Sequence, residues 1–202
     1  VMLYVIAILI GYGLGSINFA YLICKAHGVD IFTVGSGNPG ATNVTRALGG
    51  GWGKLCFFAD FLKGLCAAGW PWALVPGIAL VTKDGRAVEI YHMLHIAAEP
   101  QACSIGQGPG CSIVAAEGSA HLYSIVGYLA AIIGHTFSAH LKWVTGRFRG
   151  GKAVATTMGG LLALSWPVFV TSLVVWVAGY FASGKVVALA SVAFAAALPL
   201  LA

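Results

Sequence analysis

The sequence predicts an all-α polytopic membrane protein, and its hydropathy and scarcity of charge are the observations that predict it. Of its 202 residues, 59% are hydrophobic and 8% are charged, and the mean hydropathy is +0.89. A soluble globular chain carries roughly 25% charged residues, so this chain has too few to cover a water-facing surface. Helices are the form in which apolar segments of this length satisfy their backbone groups inside a bilayer. We therefore expect residues 1–202 to form a single membrane domain.

Six apolar segments are expected to be transmembrane helices. They cover residues 1–23, 55–81, 122–141, 153–164, 168–182 and 186–202. The second segment carries Asp60 and Lys63 near its start. The fourth is expected to end before Pro167, because proline cannot continue a helix interior without losing a hydrogen bond.

The positions of the basic residues predict an N-terminus on the outside. With that orientation, the loops at 24–54, 142–152 and 183–185 are cytoplasmic, and with the adjoining helix ends they hold nine of the 11 lysines and arginines. Basic residues concentrate on the cytoplasmic side of membrane proteins. The same asymmetry accounts for the net charge of +5 without a nucleic-acid partner.

A long extracytoplasmic loop is expected at about 82–121. It contains His92, His95 and His121, but no cysteine or carboxylate falls at a known metal-ligand spacing, so no metal site is predicted. Cys103 and Cys111 lie in the same loop and would form a disulfide if the compartment is oxidising. We assign no function to this loop.

The first polar motif is GSGNPGATNVTR, residues 35–46. Its glycines formally match the dinucleotide fingerprint G-x-G-x-x-G, but that fold requires a preceding strand, and a membrane segment precedes this motif. Glycines instead allow backbone N–H groups to form a concave anion site. Neutral donors and a planar guanidinium suited to phosphate are present in the same stretch: Ser36, Asn38, Thr42, Asn43 and Arg46.

The second polar motif is GRFRGGKAVATT, residues 146–157. It matches most of the phosphate-binding signature G-x-x-x-x-G-K-[ST], but Ala153 replaces the hydroxyl residue that would bind magnesium. A glycine pair followed by Lys152 at the start of a helix still favours phosphate binding. His135 and the Asp60/Lys63 pair are expected on the same membrane face, and for that pair a structural and a catalytic role both stay open.

These stretches together resemble the bacterial membrane glycerol-3-phosphate acyltransferases that use acyl phosphate as donor. The resemblance lies in GSINFAYLI (15–23), GVDIFTVGSGNPGATNVTRALG (28–49), DFLKG (60–64), GHTF (134–137) and FRGGKAVAT (148–156). It implies a fold of seven helices in the bacterial plasma (inner) membrane, with the active site facing the cytoplasm. The implied reaction moves a fatty acyl group from acyl phosphate to the 1-hydroxyl of glycerol 3-phosphate, the first acylation of phospholipid synthesis, in a monomer without a cofactor.

The resemblance also implies the site residues. The catalytic candidates are Ser36, Arg46, His135 and Lys152. The candidates for binding substrate phosphate are Gly37, Asn38, Gly40, Thr42, Asn43, Gly150, Gly151 and Thr156.

Three departures from the family pattern accompany the resemblance. Asn18 stands where the family usually has proline, and Ala153 stands where it usually has glycine. The family's seventh helix, with a motif containing His and Asn, is expected to be missing after residue 202.

Two alternative functions stay open. One is a membrane transporter of a phosphorylated solute, since short helices with their N-termini aimed at anions also suit transport. The other is an inactive fragment of the acyltransferase, because the family's last motif is expected to be missing.

Overall fold

The computed structural model describes residues 2–74 and 109–201, and within these ranges the chain is helical with no β-strand. A 3-10 turn covers Ile31–Thr33. The helices are α1 Met2–Ser16, α2 Phe19–Ala26, α3 Ala41–Leu48, α4 Gly50–Leu74, α5 Pro109–Thr136, α6 Ala139–Thr145, α7 Val154–Leu164, α8 Trp166–Ala182 and α9 Val187–Leu201. The predicted all-α class is therefore confirmed for the described residues.

Two helical stretches of the described chain are long and apolar enough to cross a membrane. They are Met2–Ala26, formed by α1 and α2, and Ala120–Thr145, formed by the end of α5 and α6. Three shorter apolar helices coincide with the last three expected segments: Val154–Leu164, Trp166–Ala182 and Val187–Leu198. Helix α4 corresponds to the second expected segment as far as residue 74, and the rest of that segment lies outside the described residues.

Both long stretches are interrupted, where the sequence predicted continuous helices. The first breaks at Asn18, whose side-chain oxygen accepts a hydrogen bond from the Tyr21 backbone N–H at 2.8 Å and so caps α2. The second breaks at Ser138, whose hydroxyl accepts a hydrogen bond from the Leu141 backbone N–H at 3.1 Å and caps α6. Such caps satisfy backbone donors that have no partner within the helix.

The two breaks lie against each other. The Ser138 hydroxyl donates to the Ser16 carbonyl, and the Ser16 hydroxyl accepts a hydrogen bond from the Ala139 backbone N–H at 3.4 Å. Nearby, the Tyr12 hydroxyl donates to the Phe137 carbonyl at 2.9 Å. The ends of α1 and α5 are thereby joined on the side of the molecule where both polar motifs lie.

Glycines allow the helix backbones to approach each other closely. A Cβ at Gly11 of α1 would overlap the Gly127 carbonyl of α5, and a Cβ at Gly64 of α4 would overlap the Thr156 carbonyl of α7. Small residues at helix crossings are typical of membrane bundles, where close packing drives association. The α4–α7 crossing sets the DFLKG segment directly against the start of α7.

The structure corrects two further expectations about segment boundaries. Residues 41–48 of the first polar motif form helix α3, with Gly40 at its N-cap, although a loop was expected throughout. Helix α5 begins at Pro109, so residues 109–121 of the expected long loop are helical. His92, His95, Cys103 and the Cys111 side chain lie outside the described residues, so the disulfide prediction stays a prediction.

Candidate active site

The first loop, residues 34–40, folds around the side chain of Asn43. This side chain is 2% exposed, and its amide nitrogen donates to the carbonyls of Val34 and Asn38, both at 3.0 Å, and lies 3.2 Å from the Ser36 hydroxyl. Its oxygen accepts a hydrogen bond from Arg46 at 2.6 Å. One buried amide therefore sets both the path of the loop and the position of the guanidinium.

Two glycines make this arrangement possible. Gly35 and Gly37 have φ values of +53° and +65°, in the left-handed region that favours glycine. A Cβ at Gly35 would lie 2.8 Å from the Asn43 side-chain oxygen, and one at Gly37 would lie 2.9 Å from the Phe32 carbonyl. Both distances are too short for a side chain, so the backbone curves closely only because these positions are glycine.

The first loop is anchored to the break between α1 and α2. The Asn18 side-chain nitrogen donates to the Pro39 carbonyl at 3.3 Å, while its oxygen caps α2. Asn18 is 2% exposed. The residue that departs from the family pattern thus has two structural roles, neither of which the sequence analysis assigned.

The second loop, between α6 and α7, is held against the end of α5. The Gly151 backbone N–H donates to the His135 carbonyl at 3.1 Å. A Cβ at Gly150 would overlap that same carbonyl, and a Cβ at Gly151 would overlap the imidazole of His135. Packing therefore requires glycine at positions 150 and 151. The positive-inside rule accounts for the basic residues beside this pair but not for the glycines.

Ala153 adopts an unusual backbone conformation at the N-cap of α7. Its φ is 56°, in the left-handed region, and it is 5% exposed. A residue with a Cβ pays about 1–2 kcal/mol there relative to the right-handed region. Alanine is therefore accommodated at this position only with this strain. The neighbouring Lys152 is exposed beside the start of α7.

A buried cluster lies beneath the two loops. Lys63 and Asp60 form an ion pair at 2.9 Å, and their side chains are 3% and 5% exposed. The Lys63 ammonium also donates to the carbonyls of Gly15 at 3.1 Å and Ile17 at 2.8 Å. The contacts of this i, i+3 pair are with each other and with backbone carbonyls, which favours the structural alternative over the catalytic one.

His135 belongs to the same cluster. Its Nδ1 lies 3.7 Å from an Asp60 carboxylate oxygen and 3.4 Å from the hydroxyl of Thr156. His135 is 4% exposed, and Thr156 is fully buried. Both sequence-predicted site residues therefore lie behind the second loop rather than on its accessible face.

The turn that precedes the first loop contacts the second loop through a cation and an aromatic ring. The Arg149 guanidinium lies 4.3 Å from the ring centroid of Phe32. Such contacts contribute about 0.5–1 kcal/mol at exposed sites. Two motifs that are more than 100 residues apart in the chain are thereby brought to the same side of the molecule.

Comparison with known protein families shows which family the chain belongs to. The model of the family described as "Glycerol-3-phosphate acyltransferase" matches residues 5–202. The chain belongs to this family. The resemblance read from the two polar motifs is thereby confirmed.

Individual relatives agree with this assignment. The chain is 34% identical over 168 residues to a glycerol-3-phosphate acyltransferase of Aquifex aeolicus, and 35% identical over 197 residues to that of Geotalea daltonii. These alignments cover 83% and 97% of this chain. The chain spans 63% of the Aquifex protein's own length and 76% of the Geotalea protein's.

Solved structures carry the same fold. The crystal structure of PlsY (YgiH), an integral membrane glycerol 3-phosphate acyltransferase, in its glycerol 3-phosphate form superposes with a TM-score of 0.67 at 31% identity. The match covers 98% of this chain and 74% of that one. The lysophosphatidic acid form gives a TM-score of 0.57 at 28% identity. The prediction of an all-helical membrane protein is thus supported, while the number of spans and their orientation stay predictions.

The acyltransferase motifs divide into accessible and buried groups in this chain. Ser36, Thr42, Arg46 and Lys152 are exposed, whereas Asn43, Gly151, His135 and Thr156 are buried; Gly37, Asn38, Gly40 and Gly150 are half-buried. The sequence analysis missed the connecting residues Asn18, Phe32 and Arg149. Asn18 carried a recognisable signal, because asparagine directly before an apolar run is a typical N-cap.

The described residues contain no group of three or more His, Cys, Asp or Glu side chains that could hold a metal ion. Cys56 lies next to the cluster, with its sulfur 3.8 Å from an Asp60 carboxylate oxygen. The accessible polar groups of the two motifs include the hydroxyls of Ser36 and Thr42 and the cations of Arg46, Arg149 and Lys152.

Proposed function

We propose that this chain transfers a fatty acyl group from acyl phosphate to the 1-hydroxyl of glycerol 3-phosphate, giving lysophosphatidic acid and inorganic phosphate. The observation that carries the proposal is that two glycine-shaped loops, each with an exposed cation in it or beside it, lie on one side of a helical membrane protein. Arg46 lies in α3 and is held by the Asn43 side chain that shapes the first loop, and Lys152 lies in the second loop. Arg149 of the second loop contacts Phe32, which precedes the first loop. Family membership supports the same reaction.

The two loops suit two anionic substrates. We assign glycerol 3-phosphate to the second loop, where Lys152 and the start of α7 favour a phosphate. We assign the phosphate of the acyl donor to the first loop, where the fork of Arg46 and the hydroxyl of Ser36 are accessible. The solved relative in its glycerol 3-phosphate form supports the identity of the acceptor.

The chemistry requires positioning more than covalent catalysis. The acceptor hydroxyl oxygen attacks the acyl carbon, a new ester C–O bond forms, and the bond from that carbon to the phosphate oxygen breaks. The departing phosphate takes the proton on one of its oxygens, so atoms and charge balance without a protein base. Holding the two phosphates and stabilising the developing negative charge are the contributions that Arg46 and Lys152 can make.

His135 has a different role in this proposal from the catalytic one expected from the sequence. It lies behind Gly150 and Gly151 and is 4% exposed. We therefore propose that it supports the second loop instead of touching substrate, and that Thr156 and Asn43 likewise act through the loops. Ser36, Arg46 and Lys152 remain the groups proposed to touch substrate.

The setting proposed for the reaction is the cytoplasmic face of a bacterial inner membrane. Six spans with an outside N-terminus would place both loops on that face, together with most of the lysines and arginines. Membrane lipid would hold the acyl chain of the donor, and a monomer supplies both loops. Labelling of a cysteine introduced at Ser36 by a membrane-impermeant reagent, in vesicles of known sidedness, tests the orientation.

Reconstitution into lipid vesicles tests the reaction itself. With labelled glycerol 3-phosphate and a long-chain acyl phosphate, we expect lysophosphatidic acid and phosphate in equal amounts. Arg46→Ala and Lys152→Ala should each lower product formation at substrate concentrations near KM, whereas Lys54→Ala, which removes an exposed lysine outside both loops, should not. Accumulation of glycerol 3-phosphate inside the vesicles without any acyl donor would establish the transporter instead, and undiminished turnover in both loop variants would refute the site.

A further inference from the structure

The ion pair between Lys63 and Asp60 lies between the supports of the two loops. Both side chains are almost fully buried in α4, and they are 2.9 Å apart. Ionisable groups at membrane depth are costly, and they persist where they are paired and have a specific role. The contacts of each partner indicate what that role is.

Lys63 reaches toward the first loop. Its ammonium donates to the carbonyls of Gly15 and Ile17, at the end of α1. Carbonyls at a helix C-terminus have no partner within the helix, so Lys63 satisfies groups that the break leaves free. The next residue, Asn18, holds the Pro39 carbonyl of the first loop at 3.3 Å. A short chain of contacts therefore connects Lys63 with that loop.

Asp60 reaches toward the second loop. One of its carboxylate oxygens lies 3.7 Å from His135 Nδ1. The His135 carbonyl accepts the Gly151 backbone N–H, and the His135 ring fills the space where a side chain at position 151 would lie. Asp60 therefore lies next to the residue against which the second loop packs.

We propose that Asp60 and Lys63 are positioning residues that fix the two loops relative to each other. Because the pair contacts the support of each loop and not the accessible face of either, its loss should disturb both loops together. The structural part of this inference stands on the contacts alone, and its kinetic consequence rests on the proposed acyl transfer.

Removing one partner alone would leave an uncompensated buried charge, which destabilises a protein by itself. The decisive variant is therefore the double substitution Asp60→Asn with Lys63→Met, which removes both charges and preserves the approximate volume. Lys63→Arg is the conservative variant, since its guanidinium can still donate to the same carbonyls. Leu62→Ala is the matched control, because Leu62 lies between the pair on the same helix and is 38% exposed.

Hydrogen exchange of the full chain in lipid nanodiscs tests the proposal without relying on activity. The double variant should keep the helix content of the unsubstituted chain, while amides of residues 35–40 and 149–153 exchange about tenfold faster or more. Lys63→Arg should keep most of the protection of the unsubstituted chain, and Leu62→Ala should not change the exchange rates of either loop. Unchanged protection in either loop, or a double variant that fails to form its helices, would overturn the proposal.

Steady-state kinetics supply the second readout. If the chain transfers acyl groups, the double variant should raise the KM for both substrates by about tenfold and lower kcat by on the order of 100-fold, because small displacements of bound groups are costly to rate. A rise in only one KM would show that the pair positions a single loop. An inactive unsubstituted chain would contradict the proposed function, while the exchange experiment would still decide the positioning role.

Discussion

The two loops of the site acquire their shapes in different ways. The first loop is organised by hydrogen bonds from a side chain of the helix that follows it, since the buried amide of Asn43 in α3 contacts Val34, Ser36, Asn38 and Arg46. The second loop is organised by the absence of side chains. Its glycines pack against a helix end that leaves no room for a Cβ.

Two phosphate-type loops of similar composition therefore need not lose activity through the same kinds of substitution. The first should be sensitive to the loss of a particular hydrogen-bonding group. The second should be sensitive to any added volume, whatever its chemistry.

The largest effect is expected from Gly150→Ala. The added methyl would collide with the backbone carbonyl of His135, which cannot rotate away. We expect a loss of acyl transfer on the order of 100-fold, since the loop must shift. Gly151→Ala should cost less, because the obstacle there is the end of the His135 side chain.

The control for these two variants is Gly50→Ala. A Cβ at Gly50 meets nothing within 4 Å, so its activity should match that of the unsubstituted chain. Comparable rates in Gly150→Ala and Gly50→Ala would refute the packing explanation of the second loop.

A smaller effect is expected from Asn43→Asp. The carboxylate still accepts from Arg46 but cannot donate to the carbonyls of Val34 and Asn38, so two partly buried acceptors lose their donor. We expect a loss of about 1–3 kcal/mol in stability, with a rise in the KM for acyl phosphate. Thermal unfolding and initial rates measure the two effects. Thr42→Ala, which alters an exposed hydroxyl next to Asn43, is the matched control for stability.

The backbone of Ala153 supplies a prediction of opposite sign. Ala153→Gly should relieve left-handed strain and stabilise the protein by about 1 kcal/mol, equivalent to roughly 2–4 °C in Tm. Gly37→Ala introduces a Cβ at a similar φ and should destabilise it. Two shifts of the same sign in a thermal unfolding experiment would contradict this interpretation.

The smallest effect is expected at the contact between Arg149 of the second loop and Phe32, which precedes the first loop. Arg149→Ala removes the contact with Phe32 and should cost about 0.5–1 kcal/mol, equivalent to a fewfold change in kcat/KM. Phe32→Leu should cost a similar amount, and the double variant little more than either alone. Fully additive losses would show that the two side chains act independently.

The sequence predicted the positions of the apolar helices, because hydropathy is averaged over many residues. It did not predict the breaks at Asn18 and Ser138, since each depends on a single capping side chain inside an apolar run. Helix α3 was missed for the opposite reason, because its residues are polar and its start depends on Gly40.

For the site, the sequence predicted which residues belong to the two motifs but not which are accessible. Glycine and lysine spacing favoured phosphate near Arg46 and Lys152. That His135 lies behind the second loop, and that Lys63 supports the break before the first, depends on how α4, α5 and α7 pack. Such packing has no signature within either motif.

Initial rates measured while each substrate is varied in turn test the central claim, which assigns one phosphate to each loop. For Lys152→Ala with enough residual activity to measure, we expect a KM for glycerol 3-phosphate raised about 100-fold and a KM for acyl phosphate changed little. For Arg46→Ala we expect the reverse. If both variants raise the KM of the same substrate, or neither KM changes, the assignment of one phosphate to each loop is wrong.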